Sequence, residues 1–160
     1  MRVLGLARTA RTQPPYIDQL YTPPQRGDLL AQADYAVLAV PVTPATRGMV
    51  DASFLGQMKK TAYLIDCSGR PALFNYPDLV AAIEGGRLAG VALQPGGLTE
   101  AMGAPPADAP FWQRPEVVVA PCRGTSVQNT QKAIALFFDN LRRFEAGQPL
   151  LGLVDKEAGY

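Results

Sequence analysis

The sequence predicts an α/β protein, a Rossmann-like doubly wound parallel sheet flanked by helices, and two observations carry that prediction. Short apolar runs recur along the 160 residues, and segments with helical spacing separate them. The runs are also near-continuous in apolar residues instead of alternating, as expected of parallel strands covered on both faces.

The elements follow in order. "MRVLGLA" opens the chain as a short strand. Tyr35 to Val42, Ala62 to Ser68, Leu88 to Gln94 and Glu116 to Pro121 supply the further strands. Between them, "GDLLAQAD" is a short helix, and "DASFLGQMK" starts on Asp51, a residue type suited to an N-cap. "NYPDLVAAIEGG" has Asn75 as cap, Pro77 in the first turn and Leu79, Val80 and Ile83 on one face, with Gly85-Gly86 as the stop. The longest helix is predicted from about Ser126 to Ala146, with Ile134, Phe137, Phe138, Leu141 and Phe144 at helical spacing. "TQPPYIDQLYTPPQRG" and "QPGGLTEAMGAPPADAP" read as loops rich in Pro and Gly. The second leaves the carboxyl end of a strand, where ligands bind in open α/β sheets.

Composition narrows the class. Fifteen Lys plus Arg against 14 Asp plus Glu leave a net charge of +1, which argues against nucleic acid or an anionic membrane as a bulk partner. No apolar run approaches the roughly 20 residues of a membrane span, and the apolar start before Arg8 is too short for a signal peptide. Two cysteines, Cys67 and Cys122, make no disulfide framework, so the cytoplasm is the expected compartment. The chain has no histidine, which removes the commonest general base, and no Cys/His cluster has metal-ligand spacing. No metal site is expected.

Several stretches together resemble the nucleotide-binding domain of D-isomer-specific 2-hydroxyacid dehydrogenases. They are "ADYAVLAVPVTPATRGMVDASFLGQMKKTAYLIDCSGR", "GRLAGVALQP", "ADAPFWQRPEVVVAPCRG" and "FDNLRRFEAGQPLLGLVDKEAGY". The resemblance runs over nearly the whole chain and implies one partial dinucleotide-binding domain over residues 1–160. It implies NAD or NADP as cofactor and a small 2-oxo or 2-hydroxy acid as substrate, with hydride passed between them. Against that pattern, the chain is incomplete at its N-terminus. The first strand and its glycine-rich turn do not appear, no G-x-G-x-x-G occurs, and the family's substrate-binding half precedes the matching region. "MRVLGLA" then answers to the second strand. It must pair directly with "YAVLAVPV" or leave an apolar edge that another chain fills, which predicts closure or a homo-oligomer.

The resemblance also places the site. Arg8, Thr9 and Arg11 follow the opening strand, where an acid suits NAD and arginine suits the 2′-phosphate of NADP. An exposed basic turn is the plainer reading, so NADP is favoured only slightly over NAD. Val40 and Pro41, with Thr43 and Thr46, resemble the loop against which the adenine ribose packs, although a strand stopped by proline would look the same. Cys67, Ser68 and Gln94, at two strand ends, fall on the cofactor side by the same comparison.

Arg70 is the candidate for the arginine that clamps the substrate carboxylate, since a guanidinium forks onto both oxygens. The family order is Arg-Gly, whereas "CSGRP" places Gly69 first, so a one-residue offset competes with the catalytic reading. Glu100 is off the spacing of the family's acid and reads as a solvated loop carboxylate. Cys122 stands where family members carry the catalytic histidine. A thiol titrates near 8.5 and free cysteine is usually buried, so Cys122 reads as inert packing. The expectation is a 2-hydroxyacid dehydrogenase-like oxidoreductase domain, inactive as this chain alone. The alternative is a non-catalytic remnant, either a degenerate nucleotide binder or a self-associating one.

Overall fold

The structure, a computed structural model, describes residues 1–8, 12–94, 103–120, 127–154 and 156. The chain divides into two compact units, Met1–Pro121 and Cys122–Tyr160. Among the described residues no helix is long and apolar enough to cross a membrane.

The first unit holds two parallel sheets. β1 (Leu4–Leu6) pairs with β2 (Gln19–Tyr21), Leu4 opposite Gln19 and Leu6 opposite Tyr21. β3 (Tyr35–Leu38), β4 (Tyr63–Asp66), β5 (Gly90–Leu93) and β6 (Val117–Val119) form the second sheet in that order. Three helices connect them: α1 (Arg26–Leu30), α2 (Ala52–Gln57) and α3 (Tyr76–Glu84). Strands and helices alternate from β2 through β5, as the apolar runs predict for that stretch.

Two helix starts are fixed by their first side chains. Asp51 accepts from the Phe54 amide at 2.8 Å, and Asn75 accepts from the Asp78 amide at 3.3 Å. Each satisfies an amide that the first helical turn leaves without a partner, worth about 1 kcal/mol. Packing contributes more. Leu79 and Ile83 of α3 are 0% and 1% exposed, and burying a side chain of that size is worth roughly 1.5–3 kcal/mol. They join Phe54, Leu55 and Met58 of the α2 region and Leu30 of α1 in one core against Leu38, Leu64, Val91 and Leu93.

Three expectations are corrected. Of the two outcomes expected for "MRVLGLA", direct pairing with "YAVLAVPV" is not the one found: β1 pairs with β2. β2 itself lies inside the first proline-rich segment, which the sequence presents as loop. Within the described residues, burial alternates along β3. Ala36 and Leu38 are buried while Tyr35 and Val37 stand 65% and 58% exposed. α1, α2 and α3 all contribute to the core on the buried face. The strand expected over Tyr35 to Val42 also stops at Leu38, short of Pro41, which has no N–H to continue a ladder.

The second unit is built on α4 (Val127–Glu145), close to the predicted bounds. Its apolar stripe, Ile134, Phe137, Phe138, Leu141 and Phe144, is exposed, and Arg142 and Arg143 sit in the last turn. Asn140 binds the Leu151 backbone through both amide atoms, at 2.8 and 3.0 Å, and holds the following segment to the helix.

Candidate functional site

Parallel pairing puts the carboxyl ends of β3, β4, β5 and β6 on one side of the sheet, the place where open α/β folds bind ligands. The loops leaving β3 and β4 are tied together there. Cys67 donates its amide to the Leu38 carbonyl at 2.9 Å, Gly48 to Ala72 at 2.8 Å and Val50 to Leu73 at 3.0 Å.

The loop after β3 is knotted by two threonines. Thr46 Oγ1 donates to the Pro41 carbonyl at 2.7 Å and accepts from the Thr43 amide at 2.8 Å. Thr43 Oγ1 stands 3.1 Å from the same hydroxyl. Val40 packs against the core while Pro41 is exposed, so a rigid apolar ledge faces outward at the strand end.

After β4 the chain turns sharply. Asp66 is 7% exposed, and its Oδ1 accepts from the Ser68 amide at 2.8 Å and from Ser68 Oγ. Ser68 Oγ in turn accepts from the Arg70 amide at 3.1 Å. Gly69 has φ +59°, a left-handed conformation that costs other residues about 1–2 kcal/mol. The turn therefore demands glycine at 69, which carries the guanidinium to Arg70. Arg70 is exposed, and the described residues give its side chain no hydrogen bond or ion pair.

Tyr76 lies beside this turn. Burial pushes its phenol well above the ordinary value of 10, and the Asp66 carboxylate adds to the rise. The folded state thus prefers the neutral phenol. The contribution is fully present below pH 10, the unfolded value, and is lost as pH rises from there toward the raised folded value. Denaturant midpoints should hold level up to about pH 10 and fall above it. In Tyr76→Phe that alkaline decline should flatten, and an unchanged slope would remove Tyr76 as its source.

The remaining candidates divide. Arg8 is exposed just beyond β1, and Gln94 is half-buried just beyond β5. Thr9, Arg11, Glu100 and Cys122 lie outside the described residues. The structure thus brings Val40, Pro41, Thr46, Cys67, Ser68 and Arg70 to neighbouring, hydrogen-bonded loops. Sequence reasoning missed Asp66, a buried acid that organises the turn after β4, and Tyr76, a buried phenol that feels its charge. The signal available for Asp66 was a charged residue closing an apolar strand, since buried acids need partners.

The sequence pattern of the family described as "D-isomer specific 2-hydroxyacid dehydrogenase, NAD binding domain" matches residues 1–124. The chain belongs to this family. Among curated relatives it is 32% identical over 136 residues to a glyoxylate/hydroxypyruvate reductase A of Photorhabdus laumondii, covering 85% of this chain and 42% of that protein. It is 34% identical over 144 residues to an uncharacterised protein of Corynebacterium melassecola, covering 89% and 46%. Among solved structures, the NADPH-dependent glyoxylate/hydroxypyruvate reductase of Sinorhizobium meliloti, in complex with NADP and sulfate, superposes with a TM-score of 0.81. The identity is 25%, and the match covers 99% of this chain and 49% of that one. A family member from Aeromonas salmonicida gives 0.79 at 31% identity, covering 97% and 48%. The chain spans a little under half the length of these relatives. The matched segment is the NAD-binding domain of that family.

Whether a dinucleotide suits these residues can be judged from the site itself. The Pro41 ledge and the β1 end with Arg8 offer an apolar surface and a cation, chemistry that fits the adenosine half. A pyrophosphate needs converging backbone N–H groups of the kind a glycine-rich turn supplies, and the sequence has no G-x-G-x-x-G.

Proposed function

We propose that residues 1–160 form a partial dinucleotide-binding domain that holds the adenosine end of NADP(H) for reduction of a small 2-oxo acid in the cytoplasm. The observation that carries the reading is the family match over residues 1–124, whose matched strands end in the tied loops described above. Val40, Pro41 and Thr46 would take the adenine ribose, Arg8, Thr9 and Arg11 the 2′-phosphate, and Cys67, Ser68 and Gln94 the cofactor edge of the sheet. Arg70 would stand on the substrate side, one residue off the position of the family's carboxylate-binding arginine. The cofactor supplies hydride when bound, and the chain's part is to hold and orient it.

The preference for NADP rests on Asp18 as well as on Arg8. Asp18 is the first acid after β1, and its Oδ2 accepts from the Val3 amide at 2.6 Å. That contact commits one carboxylate oxygen to the backbone, and a basic side chain stands at the strand end. The S. meliloti reductase, a relative, is bound to NADP. Calorimetric titration should give weak binding with NADPH favoured over NADH by about tenfold, near 1.4 kcal/mol. Arg8→Ala should erase most of that preference. Micromolar binding of NADH with none of NADPH would overturn it.

A second reading, a non-catalytic nucleotide binder or self-associating remnant, is favoured by one specific feature. The chain has Cys122 at the family's histidine position and no histidine anywhere.

A further inference from the structure

Between the threonine-knotted loop and α2, alternate residues turn their backbone groups toward the segment that leads into α3. Gly48 donates its amide to the Ala72 carbonyl at 2.8 Å and Val50 to Leu73 at 3.0 Å, while the Val50 carbonyl accepts from the Asn75 amide at 3.0 Å. Val50 pairs with Phe74 as a parallel bridge, and alternate residues of a parallel strand serve the same neighbour. The Ala52 amide is next in this series. By then the opposite segment has turned into α3, and its carbonyls serve amides four residues on, as Asn75 does for Leu79 at 3.1 Å. A side chain takes over the missing place: Asp78 Oδ2 accepts from the Ala52 amide at 2.9 Å.

Asp78 is itself fixed. Its amide donates to the Asn75 side chain in the first turn of α3, and Leu79 beside it is fully buried. Ala52 is the first residue of α2, where the helix leaves amides without an internal partner. Asp51 serves Phe54 from within that turn, and Asp78 serves Ala52 from 26 residues away. The local cap holds the helix together. The distant one sets where the helix begins relative to α3. The short ladder also reaches both candidate loops: Met49 donates its amide to the Thr46 carbonyl at 3.1 Å, and Leu73 donates to the Arg70 carbonyl at 3.0 Å. Val50 and Leu73, at its centre, are both 0% exposed.

We infer that Asp78 is a positioning residue for the nucleotide loop after β3. By holding Ala52 to α3 it keeps residues 48–52 against residues 72–78, and so sets the Pro41–Thr46 ledge on which the adenosine half of a 2′-phosphorylated nucleotide rests. Asp78 acts through the Ala52 backbone and not on the ligand. The inference rests on the nucleotide-binding reading given above.

The test compares the full chain with Asp78→Ala and Asp78→Asn, with adenosine 2′,5′-bisphosphate as the probe. Asparagine keeps an acceptor oxygen for the Ala52 amide, and alanine does not. Amide exchange is read first, by NMR without nucleotide. In Asp78→Ala it should speed up by about tenfold or more at Gly48, Val50 and Ala52, and in Asp78→Asn it should stay near the native rates. The Tyr63 and Val91 amides, bonded to Asp34 and Glu116 across the sheet, report the rest of the fold and should not change in either variant. Calorimetric titration should then show binding of the bisphosphate weakened about fivefold in Asp78→Ala and native in Asp78→Asn. Faster exchange at Ala52 alone, with Gly48, Val50 and the affinity unchanged, would reduce Asp78 to a helix cap and overturn the inference. Equal acceleration at Tyr63 and Val91 would overturn it too, because the whole fold would then be loosening. A native chain that binds no bisphosphate would sink the nucleotide reading, and the role of Asp78 with it. Native binding that survives intact in Asp78→Ala would sink the role of Asp78 alone.

Discussion

The purified chain should turn over neither glyoxylate, hydroxypyruvate nor pyruvate with NADH or NADPH. Reduction of a 2-oxo acid needs a proton donor placed at the carbonyl oxygen with a pKa suited to neutral pH, and such a group is typically worth about 10²–10⁴-fold in rate. The family pattern puts histidine there, and this chain has Cys122. A thiol is shorter than imidazole and has no second nitrogen through which a carboxylate could orient it. The guanidinium is displaced as well. Because φ at Gly69 is +59°, the arginine can follow the turn but not occupy its apex at low cost. One residue along a chain is up to roughly 3.5 Å, more than oriented catalysis tolerates. Cys122→His alone should therefore leave the rate at background, since it corrects one displacement and not the other. Steady oxidation of NAD(P)H by the unaltered chain, lost in Cys122→Ala, would make the thiol a catalytic group and reverse this account.

The parts of the fold that were legible are those with a local physical cause. Asp51 and Asn75 cap helices because their short side chains reach amides two or three residues on, and nothing distant has to be known. The apolar runs at Tyr63–Asp66 and Gly90–Leu93 become strands because their side chains have a core to fill. β2 was not legible. It spans three residues between proline pairs, and only pairing with β1, 15 residues earlier in register, makes it a strand. Nor could the run at Tyr35 reveal an open face, because a tyrosine and a valine look the same in sequence whether covered or exposed. At the site, the family comparison found the loops, while the Asp66–Ser68–Arg70 chain of hydrogen bonds depends on a turn whose φ no pattern states.

The "GRLAG" stretch, part of the family resemblance, also earns its place by packing, and Gly90 is where this is most testable. A Cβ built on Gly90 would stand 2.9 Å from the Glu116 carbonyl oxygen and 3.0 Å from the Tyr63 ring. The two obstacles differ in kind. Tyr63 is 43% exposed and stacks on Tyr35 at 5.6 Å between ring centroids, so its ring can swing outward into solvent. The Glu116 carbonyl cannot, because it accepts from the Val91 amide at 2.8 Å and that bond joins β5 to β6. Gly90→Ala must then push β6 away from β5 and weaken the ladder. The expected loss is about 2 kcal/mol, a fall in Tm of roughly 4–8 °C. Gly56→Ala serves as the control: it lies in α2, an added Cβ meets nothing within 4 Å, and alanine is the better helix former, so its Tm should hold or rise. Adding Tyr63→Ala to Gly90→Ala separates the obstacles. If the carbonyl is decisive, removing the ring recovers little. Recovery of most of the lost stability would show that the aromatic pair, and not the strand spacing, requires glycine at this position.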